Sequence, residues 1–196
     1  MIEPALVLLD FSSIAAGIHA ADEMIKRAEL DVIKAGTVQP GRYLILAGGT
    51  VAEVEEALDA GRAAGAGALL DEVFLPQVHP AVVEAIGGER LPGKQSSLGI
   101  IETATVAAAV HAADAGVKGA LVDLVEVRLA DGLGGKGIVL FSGLVADVEA
   151  AVDLGVGVLT KPNQLVYQIV IPQLHPAIWE NIAEATRFSS LVLEQL

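Results

Sequence analysis

Short apolar runs alternate along this chain with segments in which apolar residues recur at helical spacing. The first run, residues 5–10, has the length of a strand, and behind it apolar residues recur every three or four positions from Ile14 to Ile25. Ser12 or Ser13 is suited to cap that helix. Further strands are predicted from residue 31, over 43–46 and over 69–75, with a second helix over 51–58.

The second half of the chain repeats this order of elements. Its predicted elements are 100–101, 106–117, 121–129, 137–141, 145–154 and 165–171. The order in each half is strand, helix, strand, turn, strand, helix, strand and a short helix. This order favours an α/β fold, a ferredoxin-like sandwich in which two helices cover one face of an antiparallel or mixed sheet.

The repetition extends to the residues themselves. Residues 19–22 recur at 111–114, residues 51–61 recur at 145–155 with 7 of 11 positions identical, and residues 76–81 recur at 172–177. Three repeated segments in the same order indicate an internal duplication. We therefore predict two domains, 1–92 and 93–196, with a short linker near the Gly- and Pro-containing stretch 87–95.

Charge and composition exclude several kinds of function. The chain has 196 residues and a net charge of −13, so a polyanion would be repelled and nucleic acid is not an expected partner. There is no cysteine, which excludes disulfides, thiolate metal sites and cysteine nucleophiles. The N-terminus lacks a signal-peptide pattern, and the longest uncharged stretch, 162–179, contains three prolines. We expect a soluble, cytosolic protein that does not enter a membrane.

The residue types that carry catalysis form no convincing constellation. The four histidines all lie in the duplicated motifs, and each is interpreted as a helix contact, a packing residue or a cap: His19, His79, His111 and His175. Gly48-Gly49, expected to break the third strand before a helix, is only a weak phosphate-binding signal. We therefore expect no enzymatic activity, no metal and no cofactor.

Two turns at equivalent places in the halves differ in chemistry. Gln39-Pro40-Gly41-Arg42 aligns with Leu133-Gly134-Gly135-Lys136. If the two domains are related by a pseudo-rotation, these turns alternate around an axis and a ring of them surrounds an aperture.

The ordered motifs resemble those of bacterial microcompartment shell proteins with two BMC domains in tandem. The segments that carry the resemblance are 98–103, 112–118, 143–151 and 170–175 in the second half, with 22–26 and 75–79 in the first. The resemblance implies the unpermuted domain order and a homotrimer that forms a pseudohexagonal tile. It also implies edge-to-edge packing with other shell proteins, in a shell within the cytoplasm.

The resemblance also assigns roles to particular residues. Small polar metabolites would cross a central pore lined by Gln39, Pro40, Gly41, Leu133, Gly134 and Gly135. Lys26 and Lys118 would lie at tile edges, while Gln77 and Gln173 replace the arginine that is frequent in the family.

One feature of the most similar members is not carried over to this chain. The turns most resemble those of the tandem shell proteins of propanediol-utilisation compartments, in which a cysteine of the first turn holds an iron–sulfur cluster. Gln39 stands at that position, and three glutamine amides do not replace thiolates as its ligands.

Two other classes of function remain open at this point. A trimeric regulator on a similar scaffold would bind a small effector between subunits and would form no sheets. An enzyme using histidines or carboxylates would show a concave site with perturbed titrating groups.

Overall fold

The computed structural model describes residues 4–91 and 96–187. The first half contains β1 (Ala5–Phe11), α1 (Ile14–Arg27), β2 (Val32–Val38), β3 (Arg42–Gly49), α2 (Val51–Gly65), β4 (Leu69–Leu75) and α3 (Pro80–Ile86). The second half contains β5 (Ser97–Thr103), α4 (Val106–Gly119), β6 (Val122–Leu129), β7 (Gly137–Gly143), α5 (Val145–Gly157), β8 (Leu165–Ile171) and α6 (Pro176–Glu184).

Each half folds into a four-stranded antiparallel sheet with helices. The strand orders are β2-β3-β1-β4 and β6-β7-β5-β8, so the first strand of each half is one of the two central strands of its sheet. The duplicated, unpermuted α/β architecture predicted from the sequence is confirmed. The predicted boundary between residues 92 and 93 lies outside the described residues.

Local chemistry begins the helices where the sequence indicates. Ser13 caps α1 by accepting a hydrogen bond from the Ala16 N–H. Thr50 and Glu53 form a reciprocal capping box at the start of α2. The expectation that Gly48-Gly49 breaks the third strand is wrong, because the backbone of Gly48 stays paired with both neighbouring strands, opposite Leu6 and Val32.

The core joins the two halves. One buried cluster lies between the first sheet and helices α1 and α2. A second cluster is shared between the halves: it combines Leu8 and Val73 of the first sheet and Val82 of α3 with Ile101 and Phe141 of the second sheet. The two domains therefore meet through a continuous apolar junction.

Helix α4 lies in the middle of this junction. Its sequence is rich in alanine, and Val106, Val110 and most of its alanines are buried. In contrast, α1 buries only one stripe, which consists of Gly17, Ala20, Ala21 and Met24. The small side chains of α4 allow it to pack on its own sheet and on the first domain together.

Candidate functional site

The two turns singled out in the sequence lie beside one another. The first connects β2 to β3 through residues 39–41, and the second connects β6 to β7 through residues 130–136. Gly41 has φ +88°, and the second turn has three glycines with positive φ, Gly132, Gly134 and Gly135. A residue with a Cβ would be strained there, which is why glycine occupies these positions.

Arg42 joins the two turns. Its Nη1 donates to Asp10 Oδ2 on β1 at 3.1 Å and to the Gly135 carbonyl oxygen at 3.1 Å. The equivalent pair in the second domain is Lys136 and Glu102, with Nζ and Oε1 2.7 Å apart. In each domain, therefore, a cation next to the turn binds a carboxylate on the first strand of that domain, and Arg42 also binds the neighbouring turn.

The predicted pore residues differ in how exposed they are. Gln39, Pro40, Gly41 and Gly134 are exposed, and Leu133 is half-buried. Gly135 is buried, because the Arg42 guanidinium lies where a Cβ on Gly135 would stand. Gly135 thus contributes a bound carbonyl oxygen behind the turn surface.

Asp10 is a buried carboxylate beneath the turns. Burial raises the pKa of Asp10 to about 6, although the Arg42 guanidinium acts in the opposite direction. One of its oxygens, Oδ1, has no hydrogen-bond partner. The buried Asp10 carboxylate therefore has fewer hydrogen bonds than its two oxygens can accept.

A second polar contact ties the end of the first sheet to α4. Asp114 Oδ1 accepts from the His79 backbone N–H at 2.8 Å, and its Oδ2 lies 2.6 Å from Lys118 Nζ. Lys118 also donates to the Gln77 backbone carbonyl. Lys118 thus lies where the two domains of one chain meet, with its side chain still partly exposed.

Lys26 occupies the equivalent place on α1, where no domain covers it within the described chain. Its Nζ lies 2.5 Å from Asp22 Oδ2 and 3.2 Å from Glu23 Oε1, and all three side chains are exposed. The hydrogen bonds that Lys26 donates to Asp22 and Glu23 hold the pKa of Lys26 above its usual range. The tile-edge roles of Lys26 and Lys118 stay predictions.

A buried carboxylate, Asp71, binds the domains together on β4. Its Oδ1 accepts from Lys161 Nζ at 2.6 Å, and its Oδ2 accepts from Thr105 Oγ1 at 2.5 Å and Gln164 Nε2 at 3.0 Å. Burial would raise the pKa of Asp71, but the hydrogen bonds from Lys161, Thr105 and Gln164 outweigh it and hold the pKa below its usual range.

The histidines have structural places. His79 and His175 cap α3 and α6, each accepting from the backbone N–H two residues ahead through Nδ1 at 3.2 Å, as predicted. His111 is half-buried on α4, and burial lowers its pKa. Within residues 4–91 and 96–187, no cluster of three or more carboxylates or histidines is arranged to hold a metal ion.

Sequence reasoning missed Arg42, Asp71 and Lys161. Alignment of the turns puts Arg42 opposite Lys136, a matched pair of cations that is a signal of a shared role. Asp71, in contrast, interrupts an apolar strand without a counterpart carboxylate in the second half, and nothing in the sequence points to Lys161 as its partner.

Two copies of one α/β unit, joined through a buried junction, define a tandem-domain protein. A model of the BMC domain matches residues 5–78 and again residues 97–174. The chain therefore belongs to the BMC-domain family of bacterial microcompartment shell proteins. None of the helices in the described ranges is both long enough and apolar enough to cross a bilayer.

Relatives cover nearly the whole chain. The chain is 37% identical over 180 residues to the bacterial microcompartment shell protein PduT of Citrobacter freundii, covering 92% of this chain and 98% of that protein. It is 27% identical over 199 residues to the carboxysome assembly protein CcmO of Synechocystis, covering 94% and 66% of the two chains.

Solved structures agree with this assignment. The crystal structure of a microcompartment protein from Desulfitobacterium hafniense superimposes with a TM-score of 0.79 at 40% identity, covering 91% of this chain and 99% of that one. The fused permuted hexameric shell protein MSM0275 from the RMM microcompartment shares the fold, with a TM-score of 0.58, 23% identity and coverage of 79% and 82%.

Proposed function

We propose that three copies of this chain close head to tail into a pseudohexagonal shell tile with a central pore, and that the chain is structural rather than catalytic. The observation that carries the proposal is a systematic difference between the domains. Three elements that the junction buries within one chain, α4, α3 and β6, have more exposed counterparts at its open ends, α1, α6 and β2.

The helices show this difference clearly. Val110 of α4 is 0% exposed inside the junction, whereas its counterpart Ile18 on α1 is 53% exposed. Ile14 and Ile25 on the same face of α1 are exposed as well. A face of isoleucines left in water favours association with an apolar partner.

The opposite end of the chain presents the matching surface. In the first domain α3 buries Val82 and Ala85, whereas α6 has no buried residue. Strand β6 is buried over Leu124–Val127, under α3, whereas no residue of β2 is buried. Helix α6 of one copy would therefore cover β2 and α1 of the next copy, as α3 covers β6 within the chain.

The polar contacts of the junction supply the details of this interface. Asp22 and Lys26 stand where Asp114 and Lys118 stand, and Gln173 and His175 stand where Gln77 and His79 stand. In the ring, Asp22 accepts from the His175 N–H of the preceding copy, and Lys26 donates to the Gln173 carbonyl of that copy. Lys136 reaches the Gly41 carbonyl, as Arg42 reaches Gly135.

A heterologous interface of this kind produces a ring when its rotation closes. Gln39, Pro40 and Gly41 of three copies would then alternate with Leu133 and Gly134 around the axis. Amides and backbone groups make this lining polar and uncharged, which suits small polar metabolites that exchange hydrogen bonds to water for hydrogen bonds to the pore wall.

Asp131, exposed at the start of the second turn, disfavours anions if it faces the opening. Lys118 stays partly exposed in its junction, so Lys26 and Lys118 would both stand at the rim of the ring, where the tile packs against other shell proteins.

The experiment is a comparison of oligomeric state by sedimentation velocity. Ile18→Asp places a charge in the proposed interface and should convert trimers to monomers at micromolar concentration. Val51→Asp is the matched control, because Val51 and its counterpart Val145 are both exposed and the ring leaves them so. A monomeric parent chain, or a trimer that Ile18→Asp leaves intact, would contradict the proposal.

A further inference from the structure

The two junctions in the proposed ring are not chemically alike. Within the chain, all the side chains that donate to Asp71 belong to the second domain: Lys161, Thr105 and Gln164. Asp71 is 3% exposed, so this junction is closed by a buried carboxylate with a complete set of partners.

The counterpart of Asp71 at the open end is an aromatic residue. Asp71 lies opposite Asp10 in the β1–β4 register, and Tyr167 lies opposite Glu102 in the β5–β8 register. Tyr167 therefore occupies the place on β8 that Asp71 occupies on β4, and it is 62% exposed.

The segment that would face Tyr167 is shorter than its counterpart in the second domain and carries smaller residues. The Gln164 carbonyl accepts from the Ala104 N–H, and the Ala68 carbonyl accepts from the Ser12 N–H, so Ala68 stands where Gln164 stands. The connection between α2 and β4 is only Ala66-Gly67-Ala68, whereas the connection between α5 and β8 runs from 158 to 164 and carries Lys161. A Cβ on Gly67 would meet nothing within 4 Å, so this short segment leaves room for a large side chain.

We propose that Tyr167 is the anchor with which one copy of this chain recognises the next, its ring lying on Ala66–Ala68 and beside Ser13 of the second copy. The inference rests on the proposed trimer and names the residues that make its copies fit. A carboxylate matched to long donors closes the junction within a chain, and an aromatic ring matched to small residues closes the junction between chains.

This pairing also excludes wrong neighbours. If two first domains met, Asp71 would be buried against Ala68 with no cation or amide to bind it. If two second domains met, Tyr167 would lie against Lys161 and Gln164, which would then have no carboxylate. Both residues are satisfied only where a first domain meets a second domain, so contacts between like domains are disfavoured.

The test measures the trimer dissociation constant by mass photometry and sedimentation over a dilution series. Tyr167→Asp places an unpaired carboxylate in the interface and should raise the dissociation constant at least ~100-fold. Val166→Asp is the matched control on the next position of the strand. Its counterpart Leu70 is 45% exposed in the intact junction, so we expect less than a roughly threefold change.

Two further variants separate recognition from folding. Adding Ala68→Lys to Tyr167→Asp supplies a cation across the interface and should recover the dissociation constant to within about tenfold of the parent. Asp71→Asn should lower the melting temperature and leave the trimer dissociation constant within about threefold. Circular dichroism verifies that each variant is folded.

The outcomes distinguish the two proposals. A parent chain that stays monomeric overturns the tile and the anchor together. A trimeric parent whose dissociation constant responds equally to Tyr167→Asp and Val166→Asp, or to neither, overturns the anchor and leaves the trimer standing.

Discussion

Two buried carboxylates show how the surroundings of a residue decide its chemistry. Asp10 and Asp71 lie opposite one another on adjacent strands and both are buried. Burial raises the pKa of Asp10, the nearby Asp71 carboxylate adds to the rise, and Arg42 offsets only part of it. The pKa of Asp71 falls, since Lys161 and three neutral donors bind it, one of them the Glu72 backbone N–H. The number of donors outweighs the shared burial.

Asp10→Asn should change how stability depends on pH. The pKa of Asp10 is raised from 3.8 to about 6, so the folded state binds this proton more tightly than the unfolded chain. The resulting stabilisation is present below pH 4 and is lost as pH rises through about 6. Relative to Asp10→Asn, the parent should lose up to about 3 kcal/mol of unfolding free energy between pH 4 and 7.

Urea denaturation at fixed protein concentration, from pH 4 to pH 7, measures this difference. Parallel curves of unfolding free energy against pH for the parent and Asp10→Asn would contradict it.

Contacts between near neighbours in the chain could be predicted, and contacts between distant residues could not. Ser13, His79 and His175 cap helices that begin at the next residue, so sequence pattern alone identifies them. Arg42 and Gly135 are separated by 93 positions, and their contact depends on how the domains pack. The alignment of the two turns predicted that they play equivalent roles, but not that Arg42 of one binds the Gly135 carbonyl of the other.

At the scale of elements, glycine sets how closely the helices approach. A Cβ on Gly155 of α5 would stand 2.9 Å from the Ala112 carbonyl of α4 and 2.7 Å from Ile101. A backbone oxygen cannot move aside as a side chain does, so the two helices are in contact only because glycine is there. The duplicated pattern of apolar residues predicted the order and type of the elements. It did not predict the close approach of α4 and α5 or the extension of β3 through Gly48, because both depend on how distant parts of the backbone pack and pair.

Gly155→Ala should therefore lower the unfolding free energy by about 1–3 kcal/mol. Gly157→Ala is the control on the same helix, because a Cβ there would meet nothing within 4 Å. It should be neutral or stabilise by up to about 1 kcal/mol, since alanine is the better helix former. Thermal and urea unfolding compare the two variants, and equal losses would show that the close approach is not what matters.

At the scale of the whole molecule, one fold is used twice in different surroundings. The duplicated motifs predicted equal domains, and the structure shows domains that are equal in topology but unequal in burial. The inequality could not be predicted from the sequence, because Ile18 and Val110 are equally apolar and only packing leaves one of them exposed. Three copies closed in a ring would bury the corresponding faces of the two domains to a similar extent.

Convergence of the turns on the axis can be tested with cross-linking. The chain has no cysteine, so Gln39→Cys introduces a single reactive thiol per copy. In a ring, the three thiols face one another, and a short bismaleimide should join most chains covalently. Glu55→Cys on the exposed face of α2 is the control and should react without joining chains. Failure of Gln39→Cys to cross-link in a verified trimer would remove these residues from the pore.

The buried junction between the two halves also has a consequence for how assembly begins. A six-sided plate made from separate units requires six independent bodies to lose their translational and rotational freedom. In the proposed ring, half of the contacts would form as each polypeptide folds, so only three bodies would need to meet. The angle between the two domains of each chain would be fixed before the copies meet, which favours closed rings over open filaments of subunits.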